Sequence, residues 1–253
     1  MSKDIQYIGK FTNEINEKEK EYFLYVFNTV FNLDYNLKWF DWKYLDNPYG
    51  ESNIVFAYDN ENIAGIRAFW RNDIDNNLSY QPCDTAVLKE YRGMGIFSKM
   101  TKLALSEVGD AFIYNFPNEN SLPGYLKMGW EINKYGYLEK VINRSNLKKK
   151  TKYIEDDYLI WKFLNSPLNK YYYTEIKGEF YLLTKRKNNI YYILGRFSGK
   201  HKDSFEKASS TVLFNYTEAE TMMYKFFKNR ATIVSYKENK KDLDIPIFKG
   251  DFF

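Results

Sequence analysis

A loop with two glycines stands between a strand-like segment and a helix-like segment of this sequence. The loop reads Arg92-Gly93-Met94-Gly95, and a helical pattern begins at Ile96. Glycine has no Cβ atom, so the loop backbone can come close to a ligand. The first amides of a helix have no acceptor within the helix, and together with the helix dipole they attract anions. The loop therefore predicts a site for a phosphate or pyrophosphate group.

Two common phosphate-binding patterns do not fit this loop. The Gly-Lys-Ser/Thr ending of nucleotide P-loops is missing, and the glycines do not form the Gly-x-Gly-x-x-Gly dinucleotide fingerprint. Two glycines between a strand and a helix also occur in plain turns. The assignment of the loop therefore depends on the residues around it.

The segment around the loop resembles motif A of the GNAT acetyltransferase superfamily. Residues 86–96 end a strand and enter the loop, where Arg92 and Gly95 fill the Arg-x-x-Gly pattern of that motif. The resemblance implies that loop amides bind the pyrophosphate of coenzyme A. It implies these coenzyme-binding residues: Ala86, Val87, Arg92, Gly93, Met94, Gly95, Ile96, Phe97 and Ser98. Phe97 replaces the usual Gly or Ala, so we expect its side chain to turn into the core while its amide faces the phosphate.

A second segment, from Asn115 to Trp130, resembles motif B of the same superfamily. It contains an asparagine and then a helix with Tyr-x-x-x-Gly-Trp, where Trp130 replaces the usual Phe. The resemblance implies that Tyr125 protonates the departing coenzyme thiolate and that Asn120 or Ser121 contacts the pantetheine arm. An ordinary buried tyrosine is the alternative interpretation of Tyr125, because the chain has 24 tyrosines. Acetyl-CoA is thus the expected acyl donor, and no metal is expected.

Acetyl transfer to an amine also needs a base and a polarised thioester carbonyl. In the family the carbonyl lies near strand amides, which correspond here to Ala86 and Val87. Asp84, on the strand before the loop, is the candidate base, directly or through a water; a strand-end or turn carboxylate is the alternative. Cys83 as a nucleophile would need a neighbour that stabilises its thiolate. No motif links Cys83 to His201, the single histidine of the chain.

Composition and charge restrict the class of protein. The chain has 253 residues, with hydrophobic and charged fractions of 44% and 28%, which are ordinary for a globular protein. Its net charge of +4 is mild, and its basic residues form no stripe with a nucleic-acid motif. No nucleic-acid partner is therefore expected. One cysteine and one histidine argue against a structural zinc site. The sequence has no apolar run of about 18 residues and no secretory signal, so we expect a cytoplasmic protein without a membrane span.

Hydrophobic periodicity predicts a mixed α/β (α+β) fold. The pattern predicts helices at 15–31, 37–45 and 96–108, and strands at 53–58, 63–70, 79–88 and 111–116. The GNAT resemblance implies a mixed, mostly antiparallel central sheet flanked by helices. The lysine-rich stretch 144–152 is interpreted as a linker between a GNAT acetyltransferase domain at 1–145 and a second domain at 153–253.

The second half of the sequence echoes the first. Residues 42–48 parallel 161–167, and residues 113–116 parallel 213–216. The echoes lie 71 residues apart in the first copy (113 minus 42) and 52 in the second (213 minus 161), and the second copy has no Arg-x-x-Gly loop. Chance similarity in an aromatic-rich chain is the alternative. A real repeat predicts a degenerate GNAT-like half with a mixed sheet, a splayed strand pair and no coenzyme site of its own.

These features leave three functions open. The first is an acetyl-CoA-dependent N-acetyltransferase acting on a small amine, with an amino sugar of surface-polysaccharide synthesis suggested by resemblance to bacterial GNAT proteins, including the closing residues 248–251. The second is an aminoacyl transferase of the cell-wall peptide type, which does not need motif A. The third is a non-catalytic acyl-CoA-binding or scaffold protein. The intact loop at Arg92 favours the first over the second. The sequence defines neither the acceptor nor the oligomeric state.

Overall fold

The computed structural model describes residues 4–187, 189–208, 212–227, 230–236 and 243–251. These residues form a mixed α/β structure, which confirms the fold class expected from the sequence. By their contacts they divide into two compact units, and the first contains residues within 1–115, 123–131 and 235–243. The second contains residues within 116–122, 132–234 and 244–253. Among the described residues, no helix is both long and apolar enough to span a membrane.

The first unit opens with a strand that the sequence pattern did not predict. β1 (Ile5–Phe11) pairs antiparallel with β2 (Asn53–Asp59). The side chains of β1 are half-buried or exposed. The strand therefore lacks the clearly apolar face by which alternation reveals a strand in a sequence.

The first long helix has well-defined ends. α1 (Glu17–Phe31) begins at Asn16, whose side chain accepts the amide of Glu19, while the Glu19 carboxylate accepts the amide of Asn16. This reciprocal capping box satisfies two amides that a helix start would otherwise leave free. The helix ends at Asn32, which adopts the left-handed conformation common at helix C-termini.

A short helix with a π-helical turn packs against α1. α2 (Leu37–Phe40) continues directly into a π-helical turn, Asp41–Leu45. The buried ring of Phe23 meets the rings of Phe40 and Tyr44 at centroid distances of 5.3 and 5.5 Å. This aromatic cluster holds the π turn in place, and the turn carries two side chains of the candidate site.

The remaining elements of the first unit build a sheet with one open edge. They are β3 (Asn62–Arg71), β4 (Ser79–Val87), α3 (Ile96–Val108) and β5 (Phe112–Asn115). The strands lie in the order β1-β2-β3-β4-β5, antiparallel except for the last pair. β5 runs parallel to β4 and pairs with it only at Ser79–Phe112 and Tyr80–Ile113. Beyond those pairs the two strands diverge, which leaves an edge of β4 open toward the gap.

The second unit contains a sheet built mainly from the second half of the chain. The helix before it, α4 (Leu122–Lys127), belongs to the first unit from Pro123 onward. All or most of the residues of the following elements belong to the second unit: β6 (Trp130–Lys140), α5 (Leu147–Lys150), α6 (Asp156–Leu159), β7 (Tyr171–Ile176), β8 (Glu179–Lys187), β9 (Ile190–Phe197), β10 (Glu206–Lys207), β11 (Val212–Thr217), α7 (Met222–Phe227) and β12 (Arg230–Tyr236). The strand order is β12-β6-β11-β9-β8-β7-β10. β6 pairs antiparallel with β11. Residues 132–145, which the sequence analysis assigned to the first domain, therefore cluster with the second unit.

Part of the element order of the first half recurs in the second half. α6 continues into a π-helical turn, Ile160–Leu164, and stands 119 positions after α2 with its own π turn (156 minus 37). α7 follows α4 at a distance of 100 positions (222 minus 122), as β12 follows β6 (230 minus 130). β11 runs parallel to β9 over three residue pairs, and β5 runs parallel to β4 over two. Where α3 would lie, the described residues form a 3-10 turn, Gly199–Ser204, and the two-residue strand β10.

Candidate active site

Both glycines of the loop adopt a backbone conformation that other residues avoid. Gly93 and Gly95 have φ angles of +80° and +71°. A Cβ atom added at either position would meet nothing within 4 Å. The glycines are thus required by the left-handed backbone rather than by crowding within the chain. The space in front of them is open to a ligand.

The start of α3 presents free amides beside these glycines. Gly95 is the N-cap residue and has no side chain that could cap the helix. Within the described residues, the amides of Ile96, Phe97 and Ser98 have no acceptor, as expected for a first turn without a capping side chain. These donors and the helix dipole favour an anion at this point. The residues present therefore fit a pyrophosphate group.

Arg92 and Met94 complete the loop. Arg92 is exposed, and its Nε donates a hydrogen bond of 3.2 Å to the carbonyl oxygen of Val87 at the end of β4. Met94 is half-buried between the two glycines. The side chain of Arg92 thus bends the loop back over the strand end. Ala86 and Val87 occupy the last two positions of β4, beside the gap that opens between β4 and β5.

A β-bulge interrupts β4 just before these residues. The flanking residue pairs between β3 and β4 are Ile66 with Ala86 and Ala68 with Cys83. Arg67 therefore lies opposite two residues, Asp84 and Thr85. Asp84 has a φ angle of +42°, in the left-handed region that Asp tolerates better than most residues. Bulges of this kind often lie next to active sites, because they redirect side chains at the strand surface.

Asp84 is the carboxylate of a buried ion pair. Its Oδ2 lies 2.7 Å from Nζ of Lys43 and also accepts the hydroxyl hydrogen of Tyr44. The Lys43 and Asp84 side chains are only 5% and 7% exposed. Nζ of Lys43 lies 5.4 and 5.3 Å from the ring centres of Trp39 and Trp70. Asp84 thus ties the π turn to the bulge through Oδ2, and its role as a base stays a prediction that would have to use Oδ1.

Cys83 and His201 belong to different units of the structure. Cys83 is half-buried, and its Sγ lies 3.8 Å from the hydroxyl of Tyr44. His201 lies in the second unit, where its Nε2 is 3.5 Å from Oδ1 of Asp156.

Tyr125 is buried, and hydrogen-bond donors reach its oxygen from two sides. Its hydroxyl oxygen accepts Nδ2 of Asn115 at 2.6 Å and Nη2 of Arg67 at 3.2 Å. Within the part of the chain that the structure describes, its own hydrogen has no acceptor. The ring meets the rings of Trp130 and Phe97 edge-on, at 4.8 and 6.3 Å. The phenol is therefore held in place with its proton available to an incoming group, as a general acid requires.

A relay of buried amides supports the Asn115 bond. Nδ2 of Asn72 donates to Oε1 of Gln81 at 3.3 Å, and Nε2 of Gln81 donates to Oδ1 of Asn115 at 3.4 Å. The three side chains are buried. Because every bond donates toward Tyr125, each polarises the next, and the relay fixes the orientation of the last amide.

Arg67 is the site residue that the sequence analysis missed. Its side chain is fully buried, and Nη1 donates to Oγ1 of Thr85 at 2.6 Å while Nη2 reaches Tyr125. The guanidinium lies 4.5 Å from the ring centre of Phe97, so Phe97 does turn inward as expected. The available signal was a single charged residue inside the apolar strand Ile63–Trp70.

Asn120 and Ser121 lie on a turn that belongs to the second unit. Their amides donate to Oδ1 of Asn118 at 3.1 and 2.9 Å, so Asn118 caps the turn before α4. Asn120 is exposed and Ser121 half-buried. Their expected contact with the pantetheine arm stays a prediction.

Comparisons with known proteins identify a family domain in the first half of the chain. Residues 12–133 match the family model of the acetyltransferase (GNAT) domain. A search of curated proteins found no significant match. The matched segment includes both the glycine loop and Tyr125.

Several solved structures share the fold. A GCN5-related N-acetyltransferase from Kribbella flavida matches with a TM-score of 0.57 and 9% identity, over 92% of this chain and 71% of that one. A probable N-acyltransferase from Enterococcus faecalis V583 matches with a TM-score of 0.60 and 12% identity, over 91% and 72%. A protein from Pyrococcus horikoshii matches with a TM-score of 0.54 and 11% identity, over 96% and 95%. At these identities the likeness concerns the fold alone.

Proposed function

We propose that this chain transfers an acetyl group from acetyl-CoA to the amine of a small acceptor. The premise is that residues 12–133 form a GNAT acetyltransferase domain, which makes the chain an acyltransferase of that superfamily. One observation carries the proposal. A single compact unit contains both a helix start with free amides and a buried tyrosine whose oxygen receives two donors.

Coenzyme binding would use the start of α3 and the open edge of β4. The free amides of Ile96, Phe97 and Ser98 would receive the pyrophosphate, and the glycines before them leave room for it. The pantetheine arm would then follow β4 toward the bulge. By the family resemblance, the thioester carbonyl would lie near the amides of Ala86 and Val87, which would stabilise negative charge on its oxygen.

The transfer step balances with Tyr125 as the acid. The amine nitrogen forms a bond to the thioester carbonyl carbon, and the carbon–sulfur bond breaks. The sulfur takes the proton of the Tyr125 hydroxyl, and the nitrogen gives up its proton to a base. Solvent or that base then returns a proton to Tyr125. Asp84 is the proposed base, limited to its Oδ1 because Lys43 and Tyr44 occupy Oδ2.

The amino-sugar acceptor rests on sequence resemblance, and part of that resemblance has a structural explanation. The closing residues 248–251 begin within a 3-10 turn, Ile247–Lys249, and continue past its end. The carbonyl oxygens of Phe248 and Gly250 accept hydrogen bonds of 2.9 and 2.7 Å from Nζ of the buried Lys162. These residues therefore stabilise the second unit and do not by themselves favour a sugar.

We also propose that the second half is a degenerate GNAT-like half without a coenzyme site. The gap beside β9 holds a segment of the chain itself. The amide of Ile154 donates to the carbonyl oxygen of Arg196 at 2.7 Å, and the amide of Arg196 donates to the carbonyl oxygen of Lys152 at 2.8 Å. A Cβ atom on Gly195 would lie 2.5 Å from Ile154 Cγ1, so the segment packs tightly against β9. A coenzyme arm would have to displace it.

A thiol-release assay tests the proposed activity. Purified protein is incubated with acetyl-CoA and a panel of amines and amino sugars, and free thiol is measured against time. At least one amine should give thiol release together with an acetylated product. Coenzyme binding without release for any amine in the panel would favour the non-catalytic alternative.

A further inference from the structure

Arg67 is a buried charge whose hydrogen-bonding partners are all neutral. The side chain is fully buried, and within the described residues Nη1 and Nη2 reach only the hydroxyl groups of Thr85 and Tyr125. Nε has no hydrogen-bond partner there. A buried charge without a counter-ion is strongly unfavourable, and an apolar residue of similar size would often be better for stability. A purely structural role therefore explains the residue poorly.

Aromatic rings offset only part of this cost. The guanidinium lies 4.5 Å from the ring centre of Phe97 and 5.5 and 5.8 Å from those of Phe69 and Tyr125. Such contacts stabilise a cation only modestly, and taking an ion out of water costs more than they return. The chemistry of the site suggests where negative charge arises, because Tyr125 loses its proton in the proposed transfer.

We propose that Arg67 acts through Tyr125 as a positioning residue, holding a permanent positive charge against the oxygen that becomes negative when Tyr125 protonates the coenzyme sulfur. The idea rests on the proposed function. Arg67 is unpaired in the resting site and paired while Tyr125 is a phenolate. An interaction that strengthens only as the reaction proceeds lowers the barrier rather than the ground state.

The bulge in β4 supplies the geometry for this role. Thr85 is the second residue of the bulge, and its Oγ1 accepts Nη1 at 2.6 Å. The same hydroxyl donates to the carbonyl oxygen of Cys83 at 3.3 Å, which fixes its lone pair toward Arg67. The guanidinium is planar and rigid, so fixing Nη1 also fixes Nη2 at the phenol. Asn115, the other donor to Tyr125, is neutral and cannot supply the same charge.

A double-mutant cycle on the full chain tests the partnership. Arg67→Gln removes the charge, Arg67→Lys keeps it, and Tyr125→Phe removes the acid. We expect Arg67→Gln to lower kcat by about 10–10²-fold with KM for acetyl-CoA changed less than about twofold. Arg67→Lys should recover part of the loss. In the Tyr125→Phe background, Arg67→Gln should have almost no further effect on kcat, because residues that act as a unit are non-additive.

A second readout does not depend on turnover. In protein without coenzyme, NMR of labelled tyrosine identifies the ring of Tyr125 as the signal missing from Tyr125→Phe. That signal should move in Arg67→Gln and move less in Arg67→Lys. If Arg67→Gln does not fold, the same measurements are made on Arg67→Lys and Thr85→Ala. Thr85→Ala removes the acceptor of Nη1 but keeps the charge of Arg67. It should lower kcat in the parent protein and leave kcat of Tyr125→Phe unchanged.

The outcomes separate this inference from the proposed function. Full multiplication of the Arg67→Gln and Tyr125→Phe effects on kcat, or equal loss in Arg67→Lys and Arg67→Gln, would overturn the partnership and leave the activity standing. Full turnover in Tyr125→Phe would instead show that Tyr125 is not the acid. The proposed role of Tyr125 in the transfer, on which the inference about Arg67 rests, would then be wrong.

Discussion

The buried pair of Lys43 and Asp84 allows the two interpretations of Asp84 to be separated by one substitution. Asp84→Asn removes the negative charge, keeps the side-chain size and suits the left-handed backbone at φ +42°, because Asn also tolerates that region. The Lys43 ammonium then faces a neutral amide in a site only 5–7% exposed.

The magnitude follows from the burial of this pair. Removing one partner of a buried ion pair costs about 3–5 kcal/mol, because the other charge loses its nearest counter-charge in a site with little water. With a melting-temperature change of about 2–4 °C per kcal/mol for a chain of this size, Asp84→Asn should melt roughly 6–20 °C lower. The double variant Lys43→Met/Asp84→Asn removes both charges of the pair and should recover most of the loss.

Calorimetric or fluorescence melting of the parent protein and the two variants measures the effect on stability. Acetyl transfer by the folded proteins measures the effect on the chemical step. If Asp84 only holds the π turn, folded Asp84→Asn should keep kcat within a few-fold. If Asp84 is the base, kcat of Asp84→Asn should instead fall by about 10²-fold or more. An unchanged melting temperature in Asp84→Asn, or a double variant no more stable than the single one, would refute the ion-pair reasoning.

Two further predictions concern Tyr125 and the second unit. Tyr125→Phe keeps the ring against Trp130, so coenzyme affinity measured by calorimetry should survive while kcat falls by about 10²–10⁴-fold; full turnover with chemistry rate-limiting would assign the acid elsewhere. Burial alone would raise the pKa of Asp244, but hydrogen bonds from Lys134 and Lys152 bring it below the ordinary value of 3.8. The carboxylate therefore contributes stability above that value and loses it as the pH falls through the lowered pKa. Asp244→Asn should accordingly melt below the parent protein at neutral pH, with the gap closing under acid conditions; a gap independent of pH in melting curves would contradict this.

Local motifs carried much of the site prediction, and long-range geometry limited it. The loop at Arg92 and the helix with Tyr125 are contiguous in sequence, so their residue types and spacing were sufficient to single them out. Arg67 contacts Tyr125 across 58 positions, and only the fold brings the two together. The bulge at Asp84 depends on the register of β3 against β4, which no single-strand pattern encodes.

The boundary between units was also a non-local property. β6 continues the first-half motif in sequence, and a local pattern therefore assigns it to the first domain. Its hydrogen bonds run to β11, about 80 positions later in the chain. The echo of Trp42–Pro48 in 161–167 was visible in the sequence, because each copy is a contiguous segment. In the structure each copy begins in a π turn that follows a short helix.

The most direct test of the account is calorimetric titration of the protein with coenzyme A. The free amides after Gly95 predict one coenzyme per chain. Gly95→Glu places a carboxylate in front of them and should weaken binding by about tenfold or more, which is about 1.4 kcal/mol. Gly178→Glu is the matched control, because Gly178 has a similar φ of +75° in open space on the β7–β8 turn of the second unit. The account predicts one site per chain, lost in Gly95→Glu and kept in Gly178→Glu. Unchanged affinity in folded Gly95→Glu, or two equivalent sites per chain, would contradict it.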